Sequence, residues 1–180
     1  MTPRTRSRLH LFAVAAAFLG TPLLAALWYA YGDAGQGAKL NRGTLVDPPR
    51  RIAGAVALGL EDRWALVVAA PSGCETPCRA TLVMLRQVRA SFGPDVGRIA
   101  RLLVAPDGAT LAAEHPDLRV LAPGEAAALL AALGPLAPDQ AAVVDPQGFV
   151  MLTYAPGTGP ADVKSDLKRL LKNSQTWMRR

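Results

Sequence analysis

The 180-residue sequence predicts an α/β fold in which helices flank a mixed β-sheet and one transmembrane helix precedes the sheet. Three observations predict it: a long apolar stretch near the N-terminus, short apolar runs that alternate with segments of helical spacing, and two apolar runs joined by a tight turn near the C-terminus. Hydrophobic residues make up 51% of the chain and charged residues 19%, which excludes a disordered chain. The length suits one domain with an accessory segment.

The charge distribution argues against nucleic-acid binding, although the formal net charge is +6. Three cationic residues, Arg4, Arg6 and Arg8, precede the apolar stretch, and all 14 acidic residues follow residue 31. The rest of the chain therefore carries 17 cationic and 14 acidic residues, a net charge of only +3. We expect no surface that would hold a phosphate backbone.

Residues 9–31 are predicted to form one membrane-spanning helix, because they contain no Asp, Glu, Lys or Arg. At 1.5 Å per residue such a helix crosses the roughly 30 Å core of a bilayer. Trp28, Tyr29 and Tyr31 lie at its far end, and the three arginines keep the N-terminus in the cytoplasm. A cleaved signal peptide is the alternative, but its apolar region is shorter, about 7–15 residues, and small residues precede the cut. We therefore predict an uncleaved anchor.

The domain organisation follows from this anchor. Residues 1–8 form a cytoplasmic basic tail, and residues 32–51, with four glycines and two prolines, form a linker that holds a short edge strand at 44–46. Residues 52–175 form the globular domain, and residues 176–180 form a second basic tail. The predicted location is a bacterial inner membrane crossed once, with the domain in the periplasm.

The body of the domain alternates strands with helices. Short apolar runs predict strands at 64–70 and 99–105, a short strand at 119–121, and a hairpin at 141–144 and 149–154. Helical spacing predicts helices at 78–92, at 125–133 and after the Gly-Pro pair at 159–160. The hairpin turn at 145–148 has a proline at its second position and a glycine at its fourth, which is typical of a type I turn. This order, with a parallel core and a final antiparallel hairpin, is the thioredoxin-like arrangement.

The only two cysteines, Cys74 and Cys78, lie where the first buried strand ends and a helix begins. Free backbone N–H groups and the helix dipole at such a junction stabilise a thiolate. Outside the cytoplasm the pair can cycle between dithiol and disulfide, and thiolates also favour Cu(I) over hard cations. A static disulfide is the alternative. A zinc site is disfavoured because two cysteines supply only half of a tetrahedral shell.

Four features together resemble the SCO (SCO1/SenC) family: the anchor, the strand WALVVAAP, the Cys-x3-Cys at a helix start, and the hairpin AAVVDPQGFV. The resemblance covers residues 40–173. Members of this family are membrane-tethered thioredoxin-fold proteins that assemble the copper centre of cytochrome c oxidase, and they pair the two cysteines with a distant histidine to bind copper. The resemblance therefore implies copper-ligand or redox roles for Cys74 and Cys78.

The sequence departs from the family at the third copper ligand. The family's histidine corresponds to Ala137 here, and Arg79 replaces the proline that usually follows the second cysteine. We therefore expect poor binding of Cu(II), while two-coordinate binding of Cu(I) stays open. Pro138 lies close to where thioredoxins carry a cis-proline beside their cysteines, with an ordinary trans loop proline as the alternative.

Other side chains are weaker candidates for the missing ligand. His115 is a weak candidate metal ligand, with a solvent-exposed loop histidine as the alternative. Met84 and Met151 are predicted to pack in the core. Lys164, Lys168 and Lys172 form a cationic face on the last helix, which we predict to be solvated. Contact of this face with anionic lipid or with an acidic partner is the alternative.

Three functions stay open. The leading prediction is a membrane-anchored, SCO-like assembly factor for cytochrome c oxidase and its copper centre, a thiol-disulfide oxidoreductase in which Cys74 attacks a target and Cys78 resolves the mixed disulfide. The alternatives are a Cu(I) metallochaperone that uses the same cysteines with His115 or a partner's ligand, and a non-catalytic scaffold with a structural disulfide. The predicted partners are the inner membrane, through the chain's own helix, and an oxidase subunit or another copper or thiol protein, but no nucleic acid.

Overall fold

The structure is a computed structural model that describes residues 3–31, 40–54, 58–60, 62–106, 108–136 and 140–174. The chain divides into two compact units, Met1–Leu40 and Asn41–Arg180. The predicted C-terminal basic tail at 176–180 lies outside the described residues.

The first unit contains helix α1, Pro3–Tyr31, which includes Pro22. Large apolar side chains along it are exposed, from Phe12 at 74% to Trp28 at 72%. Within the described residues, no helix combines the length and the hydropathy needed to cross a membrane. The transmembrane anchor therefore stays a prediction.

The second unit contains the sheet. Its strands are β1 (Thr44–Arg51), β2 (Trp64–Ala69), β3 (Ile99–Val104), β4 (Leu118–Leu121), β5 (Ala141–Val144) and β6 (Phe149–Tyr154). Its helices are α2 (Thr76–Ala90), α3 (Gly108–Glu114), α4 (Ala127–Leu133) and α5 (Pro160–Ser174), with a 3-10 helix at Gly93–Arg98.

The six strands form one mixed sheet in the order β1-β6-β5-β2-β3-β4. Strands β2, β3 and β4 are parallel, whereas β5, β6 and β1 pair antiparallel. In the β5–β6 turn, the Gly148 N–H donates to the Asp145 carbonyl over 3.0 Å, as a type I turn requires. The predicted thioredoxin-like fold, with its parallel core and final hairpin, is confirmed.

Strand β2 lies at the centre of the sheet and is buried along its whole length. Alternate residues point to opposite faces, so Leu66 and Val68 pack with α2 and α5, while Ala65 and Val67 pack with α4. This two-sided burial explains why the sequence of β2 is continuously apolar.

Strand β1 corrects the extent of the predicted linker. The sequence predicted a three-residue strand at 44–46 inside a tether, but the strand runs to Arg51 and includes the cis Asp47-Pro48 peptide. It pairs only with β6, and its register shifts between Leu45 and Arg50. Prolines are compatible with such an edge strand because one row of N–H groups has no ladder partner.

Helix α3 and the 3-10 helix at Gly93–Arg98 are elements that the sequence did not predict. The seven residues of α3 are too few to show a periodic apolar face in the sequence. The helix packs through Leu111, which is buried in the core cluster beneath α2.

The buried carboxylate of Asp166 fixes the start of the second unit to α5. It accepts hydrogen bonds from the N–H groups of Arg42 and Gly43, at 2.8 Å each to Oδ2, and from the Tyr154 hydroxyl at 3.3 Å. Burial and this carboxylate raise the pKa of Tyr154 far above its ordinary value, so the phenol stays protonated as a donor.

We expect Asp166→Asn to lower the free energy of unfolding by about 1–3 kcal/mol, because both carboxylate oxygens accept from the Arg42 N–H and an amide nitrogen would therefore face this donor in either orientation. The measurement is urea unfolding of the full chain followed by circular dichroism. The control is Asp162→Asn, which removes only an exposed ion pair with Arg42 at 3.8 Å and should change stability by less than about 0.5 kcal/mol. Equal losses in the two variants would contradict this role of Asp166.

Candidate functional site

The two cysteines form a disulfide at the carboxyl end of the central strand. Cys74 lies in the loop after β2, and Cys78 is the third residue of α2, with 5.2 Å between their Cα atoms. Cys78 is buried at 1% exposure, whereas Cys74 is half-buried. The pair is therefore asymmetric, because only the sulfur of Cys74 belongs to a residue that solvent reaches.

A tight turn places Cys74 next to the helix. The Ala70 N–H donates to Val104 of β3, and the Gly73 N–H donates back to the Ala70 carbonyl over 2.9 Å. Gly73 has φ +122°, a conformation that L side chains rarely adopt, so glycine is required here for backbone reasons. The turn begins at Ala70, the residue directly after the buried strand β2.

The disulfide lies at the N-terminus of α2, with Cys78 in the first turn of the helix. Glu75 occupies the N-cap position without a side-chain capping bond, and the first turn of the helix contains no acidic residue. Pro77 lies in that first turn, as predicted. Uncapped N–H groups and the positive end of the helix dipole favour a negative sulfur at Cys78 once the disulfide opens.

An open cleft of about 390 Å³ lies beside the cysteine-bearing turn, between the first turns of α2 and α5. Its lining contains the apolar side chains of Pro77, Met84, Ala141 and Pro160 together with the hydroxyl-bearing Thr81 and Tyr154. Met84 is half-buried and Met151 packs against the core, so both agree with the predicted packing roles. Neither cysteine lines the cleft, and Pro77, which precedes Cys78 in α2, is the lining residue that connects the cleft to the disulfide in sequence.

His115 does not join the cysteines in a metal-binding group. No cluster of three His, Cys, Asp or Glu side chains able to hold a metal occurs among the described residues. The expectation of a solvent-exposed histidine was wrong, since His115 is only 6% exposed between α3 and β4, and its Nδ1 has no hydrogen-bond partner in the described part of the chain. Burial lowers the pKa of His115, and the charge of Arg101 acts in the same direction.

Sequence reasoning missed a buried arginine beneath the cysteine-bearing helix. The side chain of Arg101 is fully buried, donates to the Leu82 carbonyl of α2 over 2.6 Å, and pairs with Asp117 over 3.0 Å. Asp117 also accepts from Arg89 of α2 over 3.3 Å. These bonds tie α2 to β3 and to the connection before β4. In the sequence, the only sign of this buried ion pair is a single arginine inside the apolar run IARLLV.

Two residues of the prediction fall outside the described residues. Ala137, at the family's histidine position, and Pro138, the candidate cis-proline, both belong to the segment 137–139. The predicted lysine face is exposed along α5, as expected for a solvated surface.

Solved structures with the same fold include copper-associated proteins. The chain is similar to the apo Sco1 protein of Thermus thermophilus, with 20% identity and a TM-score of 0.58, over 74% of this chain and 99% of that one. It is also similar to Bradyrhizobium japonicum ScoI with copper bound, with 17% identity and a TM-score of 0.50, over 71% and 98% of the two chains.

A third similar structure is Arabidopsis thaliana ScoI with copper bound, with 12% identity and a TM-score of 0.51, over 65% of this chain and 89% of that one. At these identities the similarity establishes the fold alone. No curated protein sequence matches the chain. Residues 64–174 match the family described as "Transmembrane-like, thioredoxin-like, C-terminal domain", and the chain therefore belongs to that family.

Proposed function

We propose that this chain is an SCO-like factor that assists assembly of the copper centre of cytochrome c oxidase by thiol-disulfide exchange through Cys74 and Cys78. The observation that carries the proposal is the asymmetric disulfide, with one half-buried and one buried cysteine, at the start of a helix. The fold shared with Sco1 and ScoI proteins and the Cys-x3-Cys spacing support the choice of an SCO-like function.

The exchange proceeds through the more exposed sulfur. A target thiolate attacks Cys74 Sγ, the disulfide breaks, and Cys78 leaves as a thiolate that the N-terminus of α2 stabilises. A second target thiolate then attacks the target's sulfur in the mixed disulfide and releases Cys74. The target loses two electrons and the chain gains them, so no other oxidant is needed.

The reverse direction uses the same two positions. In the dithiol form, Cys74 attacks a target disulfide, and Cys78 then attacks Cys74 Sγ and releases the reduced target. Cys78 suits this second step because it is buried within disulfide distance of Cys74 and out of reach of a bulky target. The adjoining apolar cleft would hold the target segment while the sulfurs react.

The proposal includes a membrane tether and a periplasmic domain. It rests on the apolar sequence of residues 9–31, on the arginines before them, and on the exposed apolar side chains along the described part of α1. A tether of this kind would keep the cysteines beside a membrane-bound oxidase.

Cys78→Ser is expected to accumulate a mixed disulfide between Cys74 and its target in cells, because the resolving thiol is gone. The measurement is non-reducing electrophoresis of the membrane fraction after acid quenching, followed by identification of the attached protein. The matched control, Cys74→Ser, keeps one buried thiol and should trap nothing. Absence of a trapped copper or oxidase protein would contradict the proposal, and retention of function in the double serine variant would favour a structural disulfide.

A second candidate function is Cu(I) delivery, in which copper is the cargo. Two cysteines with Cα atoms 5.2 Å apart can both bind one two-coordinate Cu(I) in the dithiol form, because soft thiolates prefer this ion. The described residues do not fit a three-ligand site, since no third donor clusters with the cysteines. A partner would have to supply any further ligand.

A further inference from the structure

A groove with a cationic rim lies between one side of α5 and the residues that follow α2, including the 3-10 helix. Its volume is about 400 Å³, and its lining includes Phe92, Lys164, Lys168, Leu171 and Lys172, which we call the basic groove. The lysines are exposed, Phe92 is half-buried, and Leu171 is buried. The groove thus combines an apolar floor with three positive charges on one rim.

The lysines have no acidic partner in the described part of the chain. No Asp or Glu occurs three or four residues from Lys164, Lys168 or Lys172. The two acidic residues of α5 are engaged elsewhere, because Asp162 pairs with Arg42 and Asp166 is buried against backbone donors.

The opposite rim of the groove does not neutralise the lysines either. It contains one carboxylate, Asp95, which pairs with Arg98 over 3.2 Å. Arg98 also donates to the Leu171 carbonyl over 3.2 Å and to Ser174 over 3.0 Å, which fixes the end of α5 to the 3-10 helix. None of these contacts involves the three lysines, so their positive charges are not neutralised within the described part of the chain.

This arrangement costs the fold some stability. Like charges four residues apart on a helix repel each other, and Lys164, Lys168 and Lys172 make two such pairs. Solubility alone does not require the three charges to share one groove with an aromatic side chain. An occupant with negative charge would remove the repulsion and cover the apolar floor.

The basic groove lies away from the cysteines. The cleft is lined by the first three turns of α2 and by the loop that leads into α5, whereas the groove is lined by residues that follow α2 and by one side of α5, so the two share no residue. Along α2, twelve residues separate Cys78 from the last helical residue, Ala90, which is about 18 Å at 1.5 Å per residue. A partner could therefore bind the groove while a target occupies the cysteine cleft.

We propose that the basic groove is a docking site for an acidic protein segment that carries an aromatic residue. The three lysines would attract acidic side chains of such a segment, and the floor of Phe92 and Leu171 would accept its aromatic side chain. The concave shape favours a protein segment over a lipid surface, because a headgroup layer would contact the lysines but would not fill the groove.

The experiment measures binding of the full chain to a fluorescent peptide of Asp and Glu residues around a central Phe. We expect Lys168→Glu to weaken binding about tenfold, because it reverses the middle charge of the rim. Arg86→Glu, which makes the same charge change on an exposed residue of α2 outside the groove, should weaken binding less than twofold. Replacing the peptide's Phe by Ser should also weaken binding.

Each other outcome overturns the proposal. Equal losses with Lys168→Glu and Arg86→Glu would show attraction by net charge only. A peptide without Phe that binds as well as the parent peptide would show that the floor is not used. Binding only to vesicles of anionic lipid would assign the lysines to a membrane. None of these readouts involves the cysteines, so the result is independent of the proposed exchange.

Discussion

Asp117→Asn is expected to lower the free energy of unfolding by about 3–5 kcal/mol, the largest stability loss that we predict for a single side chain. Asp117 is the only carboxylate that pairs with the fully buried Arg101 in the described residues. The amide keeps one oxygen that can accept from Arg101, but it removes the negative charge, so the buried guanidinium between α2 and β3 is left without a counter-charge. The measurement is urea unfolding of the full chain, compared with the parent at pH 7.

The matched control is Asp95→Asn, which removes a carboxylate from the ion pair with Arg98 on the 3-10 helix. That pair is partly exposed, so its loss should cost less than about 1 kcal/mol. Similar losses in the two variants would mean that the buried charge of Arg101 does not depend on Asp117, and would contradict the prediction.

The pH dependence of this loss has a defined sign. Burial alone would raise the pKa of Asp117, but the hydrogen bond and the charge of Arg101 outweigh it, so the pKa lies below its ordinary value. A carboxylate with a depressed pKa contributes stability that is present above its unfolded pKa and is lost as the pH falls through the folded value. The stability difference between the parent and Asp117→Asn should therefore shrink on acidification below about pH 4.

The parts of the fold that could be predicted are those that local pattern determines. Strand β2 is apolar throughout because both of its faces are covered, and the β5–β6 hairpin carries its own turn residues, so both have a strong local signal. Strand β1 could not be delimited, because its extension through Pro48 and Pro49 depends on pairing with β6, about a hundred residues away. Helix α3 is stabilised by packing of Leu111 and is too short to show a periodic pattern.

The same division applies to the candidate site. The position of the cysteines follows from a strand-to-helix junction that the sequence shows directly, whereas their unequal burial depends on packing. The burial of His115 and the pairing of Arg101 with Asp117 also depend on contacts between separate elements. A polar residue in an apolar run signals only that some partner exists, and it does not identify that partner.

Ala137→His is expected to raise the affinity of the reduced chain for Cu(I) at least tenfold, about 1.4 kcal/mol. The family resemblance places the copper-ligand histidine at this position, and imidazole and thiolate ligands both suit Cu(I). The parent chain has two sulfurs and, in its described part, no third donor grouped with them. The measurement is anaerobic competition with a Cu(I) chelator of known affinity.

Two controls make the result specific to position 137. Ala90→His adds an imidazole on an exposed residue at the end of α2 and should leave the affinity within twofold of the parent. Cys74→Ser in the Ala137→His background should remove the gain, because the new ligand acts only together with the sulfurs. A gain that survives Cys74→Ser would show that copper binds elsewhere. An unchanged affinity in Ala137→His would mean that the SCO resemblance does not extend to the geometry of the third ligand, and disulfide exchange would then be the better-supported function of the pair.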